Sequence, residues 1–443
     1  MSAPERPELA RRIGRLGLTA LVINGVIGGA IFGLPATVGR ALGKGAPLAF
    51  ALAGGLIAIV VACFAEVASR FRDAGGPYLY VHATYGRFLG LQTGWMAYLT
   101  RLTASAAVIN LFVSYLGVFL PGAGTSTGKL VVLTLLLGGL ALVNCVGVGP
   151  GARVSSLFAV LKLLGLGAFI AGGLIALLGD HGIVPAPTPP GIDPWLSMLL
   201  VLVFLYGGFE AALMPLAEAR NPERDAPVAL FAALLVATVV FVLVQVVVTY
   251  TLPDPGSTAT PLADSARSFF GENGARLIAA TALLSTLGYL AGGMVNVPRL
   301  SFAMAERGEL PGVFASVHSR FRTPVLSIVA YAVLVWLLAA SGSFLQNVSL
   351  SVAARLVTYG LVCGALPLLR SRDGTPRGAP PAAFRLPAGS VFAGLGVLGM
   401  LLMATQVSQR ELLIMGILIV LASIHYAGLG TRGSGLGARD RST

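Results

Sequence analysis

The feature that most limits how this chain can fold is the recurrence, from end to end, of apolar runs near the roughly 20 residues that cross a hydrocarbon core. Twelve can be read, at 16–39, 46–68, 88–119, 130–148, 154–178, 195–218, 226–251, 276–300, 324–341, 345–369, 389–407 and 411–429. The chain is 56% hydrophobic and 11% charged, with a mean hydropathy of +0.85, whereas a soluble domain is nearer a quarter charged. No soluble core hides that much apolar surface. Lipid is therefore the solvent, and the expected fold class is an all-α membrane protein with about twelve transmembrane helices.

The net charge of +12 does not form one patch of the kind that binds nucleic acid. The basic residues fall in alternate loops: Arg6, Arg11, Arg12 and Arg15 before the first run, Arg70, Arg72 and Arg87 after the second, Arg153 after the fourth, and Arg220 and Arg224 after the sixth. Arg299, Arg307, Arg320 and Arg322 follow the eighth run, Arg370, Arg372, Arg377 and Arg385 the tenth, and Arg432, Arg439 and Arg441 the last. The opposite loops hold little beyond Arg40, Lys44, Lys129, Arg267, Arg276 and Arg410. This asymmetry is the positive-inside pattern, and with an even number of crossings it places both termini in the cytoplasm. The localisation expected is a cell (inner) or plasma membrane, multi-pass, with the first run as an uncleaved helix rather than a signal peptide.

Cys63, Cys145 and Cys363 lie inside apolar runs and act there as small hydrophobes. Four scattered histidines add nothing to them. Neither a disulfide framework, a metal site nor a cofactor is expected. The longer loops, near 180–194, 252–275, 301–323 and 370–388, have the proline, glycine and serine content of connectors.

Two runs are interrupted where a helix should be strongest. LTALVINGVIGGAIFGLPATVGRALG, residues 18–43, carries Gly25, Gly28, Gly29, Gly33 and Pro35 through its middle, the residues that weaken a helix most. LVFLYGGFEAALMPLAEARNP, in the sixth run, carries Gly207 and Gly208 followed by Phe209, Glu210 and Pro215. Glycine in membrane helices commonly serves close helix packing, but two such breaks five spans apart sit at matching positions of an inverted-topology repeat. Backbone without helical partners cannot face lipid, so unwound chain at membrane depth lines a cavity or binds something polar. The half-helix beginning after Gly28 and Gly29 aims N–H groups and a positive dipole end at a carboxylate. Freed carbonyls of Val26 and Gly207 offer acceptors to an ammonium. Together they describe a receptor for the zwitterionic head of an amino acid.

IGGAIFGLP, AEVASRFRDAGGPYLYVHATYGRFLGLQTGW, YGGFE with EARNPERDAPVAL, and PRLSFAMAERGELP with RFRTP resemble, in order and spacing, the amino acid, polyamine and organocation transporter family. The resemblance covers most of the chain and implies a leucine-transporter-like fold: inverted five-helix repeats at 16–178 and 195–369 with discontinuous helices 1 and 6, two additional helices at 389–429, and cytoplasmic tails at 1–15 and 430–443. It places the substrate carboxylate on the amides of Gly28, Gly29 and Ala30, with Ala30 standing where the family has a third glycine. Val26 and Gly207 would supply carbonyls to the amino group, Phe204 would close over the substrate, and Thr100, Arg101 and Ser105 of the third span would approach the pocket. In sodium-independent members a lysine at the position of Lys162 puts its ammonium beside the unwound part of helix 1, where sodium-coupled relatives hold an ion.

Lys162 otherwise reads as a lysine snorkelling to the headgroups. If buried, it is either a fixed cation or a proton carrier, since desolvation disfavours its charge. Glu210 is either a titratable coupling group or a structural acceptor pinning the sixth helix. Arg101 stays charged at any relevant pH, and an internal pair with Glu210 is expected in preference to an acidic substrate; Arg355 poses the same question. Glu66 and Glu218, near cytoplasmic helix ends, read as solvated charges or inner-gate pairs with arginines such as Arg70 or Arg220. The tyrosines of DAGGPYLYVHATYGRF read as interfacial anchors in a loop.

No nucleophile, base and orienter set, paired metal ligands or phosphate loop supports an enzyme. The function expected is a secondary active permease moving amino acids by alternating access, sodium-independent and either proton-coupled or exchanging, with an amino acid, the lipid bilayer and possible protons as its partners and no nucleic acid. Two alternatives stand beside it: a carrier of polyamines or other organic amines, which would want acids facing the cavity where only Glu210 is available, and a non-transporting amino acid sensor, which would be expected to carry an added soluble region.

Overall fold

In the first and sixth apolar runs the helices stop at their glycines, whereas long helices elsewhere continue through Pro227, Pro298 and Pro367. The computed structural model describes residues 14–71, 76–147, 152–179, 191–212, 221–373 and 381–436. Arg6, Arg11, Arg12, Arg72, Pro215, Glu218, Arg220, Arg377, Arg439 and Arg441 lie outside the described residues, as do the ends of both tails and most of the 180–194 loop.

Among the described residues the regular structure is helical throughout. In order the helices are α1 Arg15–Val26, α2 Leu34–Leu42, α3 Ala46–Ala68, α4 Gly76–Tyr85, α5 Arg87–Leu116, α6 Ser126–Cys145, α7 Ala152–Leu178 and α8 Ile192–Tyr206. There follow α9 Phe209–Ala212, α10 Pro222–Thr251, α11 Pro261–Glu306, α12 Val325–Ser341, α13 Phe344–Ser371, α14 Gly389–Ala404 and α15 Gln409–Leu436. Eight stretches of the described chain are long and apolar enough to cross a membrane by length and composition, and α1, α8, α12 and α14 are shorter apolar helices. The shortness of α1 and α8 has a local cause, because each is one half of an interrupted run.

The core is built on α3, α5, α10, α11 and α13. α13 packs along α5 and α14, α10 against α3 and α1, and α11 against α7 and α5. Small residues permit this closeness: a Cβ at Gly165 of α7 would stand 2.3 Å from Thr281 Oγ1 of α11, and one at Gly54 of α3 would stand 2.8 Å from Thr238 Oγ1 of α10. α6, α12 and α15 turn leucines such as Leu135, Leu337 and Leu413 outward, as expected of faces solvated by lipid tails.

Two connectors read from the sequence are partly helical. In the segment between α3 and α5, Gly76–Tyr85 forms α4, and its tyrosines have partners within the protein: Tyr80 is buried, Tyr78 donates to Glu309 Oε1, and Tyr85, half-buried, donates to the Leu361 carbonyl at 3.1 Å. The turn signals of the glycines and proline mark only where α4 starts. Within 252–275, Pro261 begins α11, with Asp264 in its first turn and Leu262, Ala263 and Ala266 buried. Gly271, at φ 66° and ψ −164°, then kinks that helix in a conformation open to glycine.

Glu66 is neither solvated nor exposed. Its carboxylate is fully buried at the end of α3, takes Arg370 Nε at 2.8 Å and the Leu386 amide at 2.8 Å, and lies 3.4 Å from Arg70 Nη2. Arg70 also pairs with Asp373 at 2.5 Å, just beyond α13. The Arg70 guanidinium holds the Asp373 carboxyl below its ordinary value. A depressed carboxyl contributes fully above its unfolded pKa of about 3.9 and loses that contribution as pH falls through the lower folded value.

Glu66→Ala leaves Arg70 and Arg370 without their shared buried partner, and a loss of about 3–5 kcal/mol is expected, read as a lowered thermal unfolding midpoint in detergent. Asp373→Asn should lower stability at pH 7, where the ionised carboxylate contributes fully, and should flatten the acid side of the profile below about pH 4, where the unsubstituted protein loses that same contribution.

Candidate functional site

The site grows from the two places where the main chain leaves its helix. α1 ends at Val26, with Ile27 as its cap at φ −77° and ψ 74°. The Gly28 amide donates to the Val26 carbonyl at 2.8 Å, and a single 3-10 turn, Ala30–Phe32, leads into α2, which has Pro35 in its first turn. The amides of Gly29, Ala30 and Ile31 make no hydrogen bond among the described residues. The Phe32 carbonyl is answered by the Tyr115 hydroxyl of α5 at 2.7 Å.

In the other interrupted run α8 ends at Tyr206. Gly207 is extended, at φ −73° and ψ 165°, and Gly208 takes φ +111° before α9 begins at Phe209. Only glycine reaches that φ at low cost. The two breaks touch backbone to backbone: a Cβ at Gly208 would stand 2.3 Å from the Gly25 carbonyl oxygen, and one at Gly25 would stand 3.1 Å from the Gly208 oxygen. The Gly207 carbonyl accepts no hydrogen bond among the described residues.

Between the breaks lies a small cavity of about 20 Å³, room for about one water. Val26, Gly28, Gly29, Ala30, Phe204, Gly207 and Arg101, all singled out from the sequence, line it together with Gly25, Gly208, Ala104, Val108, Tyr289 and Arg355. Two expected residues do not. Thr100 is buried with its carbonyl taking the Ser351 hydroxyl at 3.0 Å, and Ser105 Oγ shares a 2.6 Å hydrogen bond with the Tyr331 hydroxyl. Arg101, Ala104 and Val108, three and seven residues apart on α5, define its cavity face, and Thr100 falls a third of a turn off it.

Lys162 of α7 is buried and does not snorkel. Its Nζ donates to Asn24 Oδ1 at 2.7 Å, to the Asn24 carbonyl at 3.3 Å and to the Ile27 carbonyl at 2.5 Å. The cation thus occupies the acceptors that the end of α1 frees, on the side of the break away from the cavity wall.

Glu210 sits one residue beyond the start of α9 and gathers four donors. Its Oε2 accepts the Gly208 amide at 2.8 Å and the Tyr359 hydroxyl at 3.0 Å, and its Oε1 lies 3.4 Å from Arg101 Nη2 and 3.3 Å from Arg355 Nη2. Arg355 also donates to the Phe204 carbonyl at 3.3 Å and lies over the Phe204 ring, 5.7 Å from its centroid. A Cβ at Gly207 would stand 1.8 Å from Arg355 Nη1, so that glycine makes room for a guanidinium as well as for a turn. Arg355 was legible only as an unexplained membrane charge. Tyr289 lies in the glycine-rich GYLAGGMVN, and its place in the cavity depends on how α11 packs, which no local signal reports.

Chemically, the cavity offers amide donors from one break, a carbonyl acceptor from the other and guanidinium donors from α5 and α13. Among the described residues its wall has no Ser, Thr, Cys, His, Asp or Glu side chain.

A family model described as amino acid permease matches residues 13–427. The chain is similar to the serine/threonine exchanger SteT of Bacillus subtilis, 29% identical over 377 residues and covering 82% of this chain and 84% of that one. It is similar too to the methylthioribose transporter of the same bacterium, 30% identical over 337 residues with 71% and 72% covered. The branched-chain amino acid permease BcaP of Bacillus subtilis is 28% identical over 416 residues, with 88% and 86% covered.

Gly208→Ala should break the contact between the two interruptions, because the new methyl meets the Gly25 carbonyl and the backbone resists φ +111°. A loss of about 1–3 kcal/mol is expected as a lowered unfolding midpoint, whereas Gly55→Ala, in open space on α3, should leave it within about 0.5 kcal/mol.

Proposed function

Because the chain belongs to the amino acid permease family, matched over residues 13–427, it is a membrane transporter of amino acids, and we propose that it works by alternating access around the paired breaks of α1/α2 and α8/α9. The observation that carries this reading is the meeting, at one cavity, of Gly29 and Ala30, whose amides make no hydrogen bond among the described residues, with Gly207, whose carbonyl accepts none among them. Donors on one side and an acceptor on the other suit a carboxylate and an ammonium on the same small molecule. A cavity of about 20 Å³ is too small for an amino acid, so binding requires the wall to move, with Phe204 and Tyr289 as its bulky elements.

The chain would cross the membrane twelve times, with residues 16–178 and 195–369 as inverted five-helix repeats, 389–429 as two further helices, and both termini in the cytoplasm of a cell with this protein in its inner or plasma membrane. Alternate basic loops support that orientation. Transport would be sodium-independent and either proton-coupled or exchanging. Lys162 supports the first part: its ammonium already satisfies Asn24 and Ile27 carbonyls that a bound cation would otherwise take. Glu210 acts as a structural acceptor, since two arginines, a tyrosine and an amide fix it. Two guanidiniums on the cavity wall tell against polyamines as substrate, because a polycation would be repelled there.

Purified protein in liposomes should take up labelled amino acids equally well in sodium and choline buffers; a strict sodium requirement would remove the role given to Lys162. Lys162→Ala should abolish uptake or its dependence on a pH gradient. Gly29→Val should weaken substrate binding by about tenfold or more, or 1.4 kcal/mol, because a Cβ there already stands 2.8 Å from Thr286 Cγ2 and 3.4 Å from Val108 Cγ1.

A further inference from the structure

The charges around the cavity do not balance. Among the described residues the charged side chains on its wall are Arg101 and Arg355, and guanidiniums keep their charge at any relevant pH. Behind them stands a single carboxylate, Glu210, whose contacts to the two arginines, 3.4 and 3.3 Å, are longer than the roughly 2.7–2.9 Å of a well-formed charge-assisted bond. Its closer partners are the Gly208 amide at 2.8 Å and the Tyr359 hydroxyl at 3.0 Å. Glu66 and Glu309 are taken up elsewhere, by Arg370 and Arg70 and by Tyr78. Arg355 is 3% exposed, and its Nε is buried without a hydrogen-bond partner. Arg355 also has the Phe204 carbonyl at 3.3 Å and the Phe204 ring beside it, but it shares its one carboxylate with Arg101, and a buried cation without a full counter-charge is costly unless something anionic completes the site.

We propose that the substrate is an amino acid with a second acidic group on its side chain, received by the guanidiniums of Arg101 and Arg355. The inference rests on the cavity being an amino acid site and specifies what that site selects. A zwitterion adds no net charge, so it leaves the two arginines facing one carboxylate. An anionic amino acid brings the missing negative charge and makes two cations face two anions. The geometry suits it: α5 and α13 lie side by side and deliver both guanidiniums to one wall, planar forks that fit a carboxylate. The main-chain groups of the two breaks remain for the α-carboxylate and the ammonium. Lys162 adds positive charge on the opposite face of the α1 break and so cannot substitute for the missing anion.

The test is uptake by the full-length protein in liposomes of labelled glutamate and aspartate against glutamine and asparagine, each in chloride and in gluconate buffer. The acids should exceed their amides in kcat/KM by about tenfold or more, because a site built for a polar group rejects the isostere that leaves its partners unmatched. Arg355→Gln and Arg101→Gln should each bring the ratio of acid to amide toward unity. Should those variants fail to fold, wild-type protein gives the same answer, since glutamate should raise its unfolding midpoint and glutamine should not. Amides carried as well as the acids, or amides carried only when chloride is present to fill the arginine site, would overturn the inference while leaving amino acid transport intact. If no amino acid is carried or bound at all, the reading of the cavity itself falls, and this inference with it.

Discussion

A peptide group that leaves its helix inside a bilayer must find its partners within the protein, and the rest of this structure follows from that constraint. Residues 27–33 and 207–208 leave their helices, and their polar groups are distributed among a few neighbours: the Ile27 carbonyl to Lys162, the Phe32 carbonyl to Tyr115, the Gly208 amide to Glu210. Among the described residues, what is left over at the cavity lining is the amides of Gly29 and Ala30 and the Gly207 carbonyl. The glycines act on both sides of this arrangement. Gly207 and Gly208 let the chain turn, and with Gly25 they let one break lie against the other and against a guanidinium.

Glu210 is the electrostatic counterpart of that arrangement. It joins α9 to Arg101 of α5 and to Arg355 and Tyr359 of α13, so the interrupted run is tied to two helices distant from it in the chain. Removing one partner from such a buried cluster is more disruptive than the cluster is stabilising, because the remaining charges have no water to turn to. At the far end of α3 and α13, Glu66 does the same with Arg70 and Arg370.

The sequence made the breaks legible because glycine and proline report local conformation directly. Glycine and proline do not always break the chain, since α10, α11 and α13 continue through Pro227, Pro298 and Pro367. Tertiary partners were less visible. Glu210 and Arg355 are far apart in the chain, and nothing local says that α13 brings them together; Thr100 and Ser105 sit close in sequence to Arg101 but turn to Ser351 and Tyr331. Glycine-proline punctuation also misled where it marked a helix start, as at α4, which packs along α5 and α13. Glu66 read as either a solvated charge or a partner of an arginine such as Arg70, and the choice between them rests on Arg370 and Leu386, more than 300 residues later.

The grip of Lys162 on α1 has a mechanical corollary. Its three bonds run from one nitrogen on α7 to the side chain and carbonyl of Asn24 and to the Ile27 carbonyl, so they clasp the last turn of α1 and the first unwound residue together. A tilt that separates α1 from α7 cannot lengthen them one at a time; it has to release all three nearly together. In the proposed alternating-access cycle such a latch would favour two discrete postures over a continuum of slight openings, with the release of α1 set by a single ammonium.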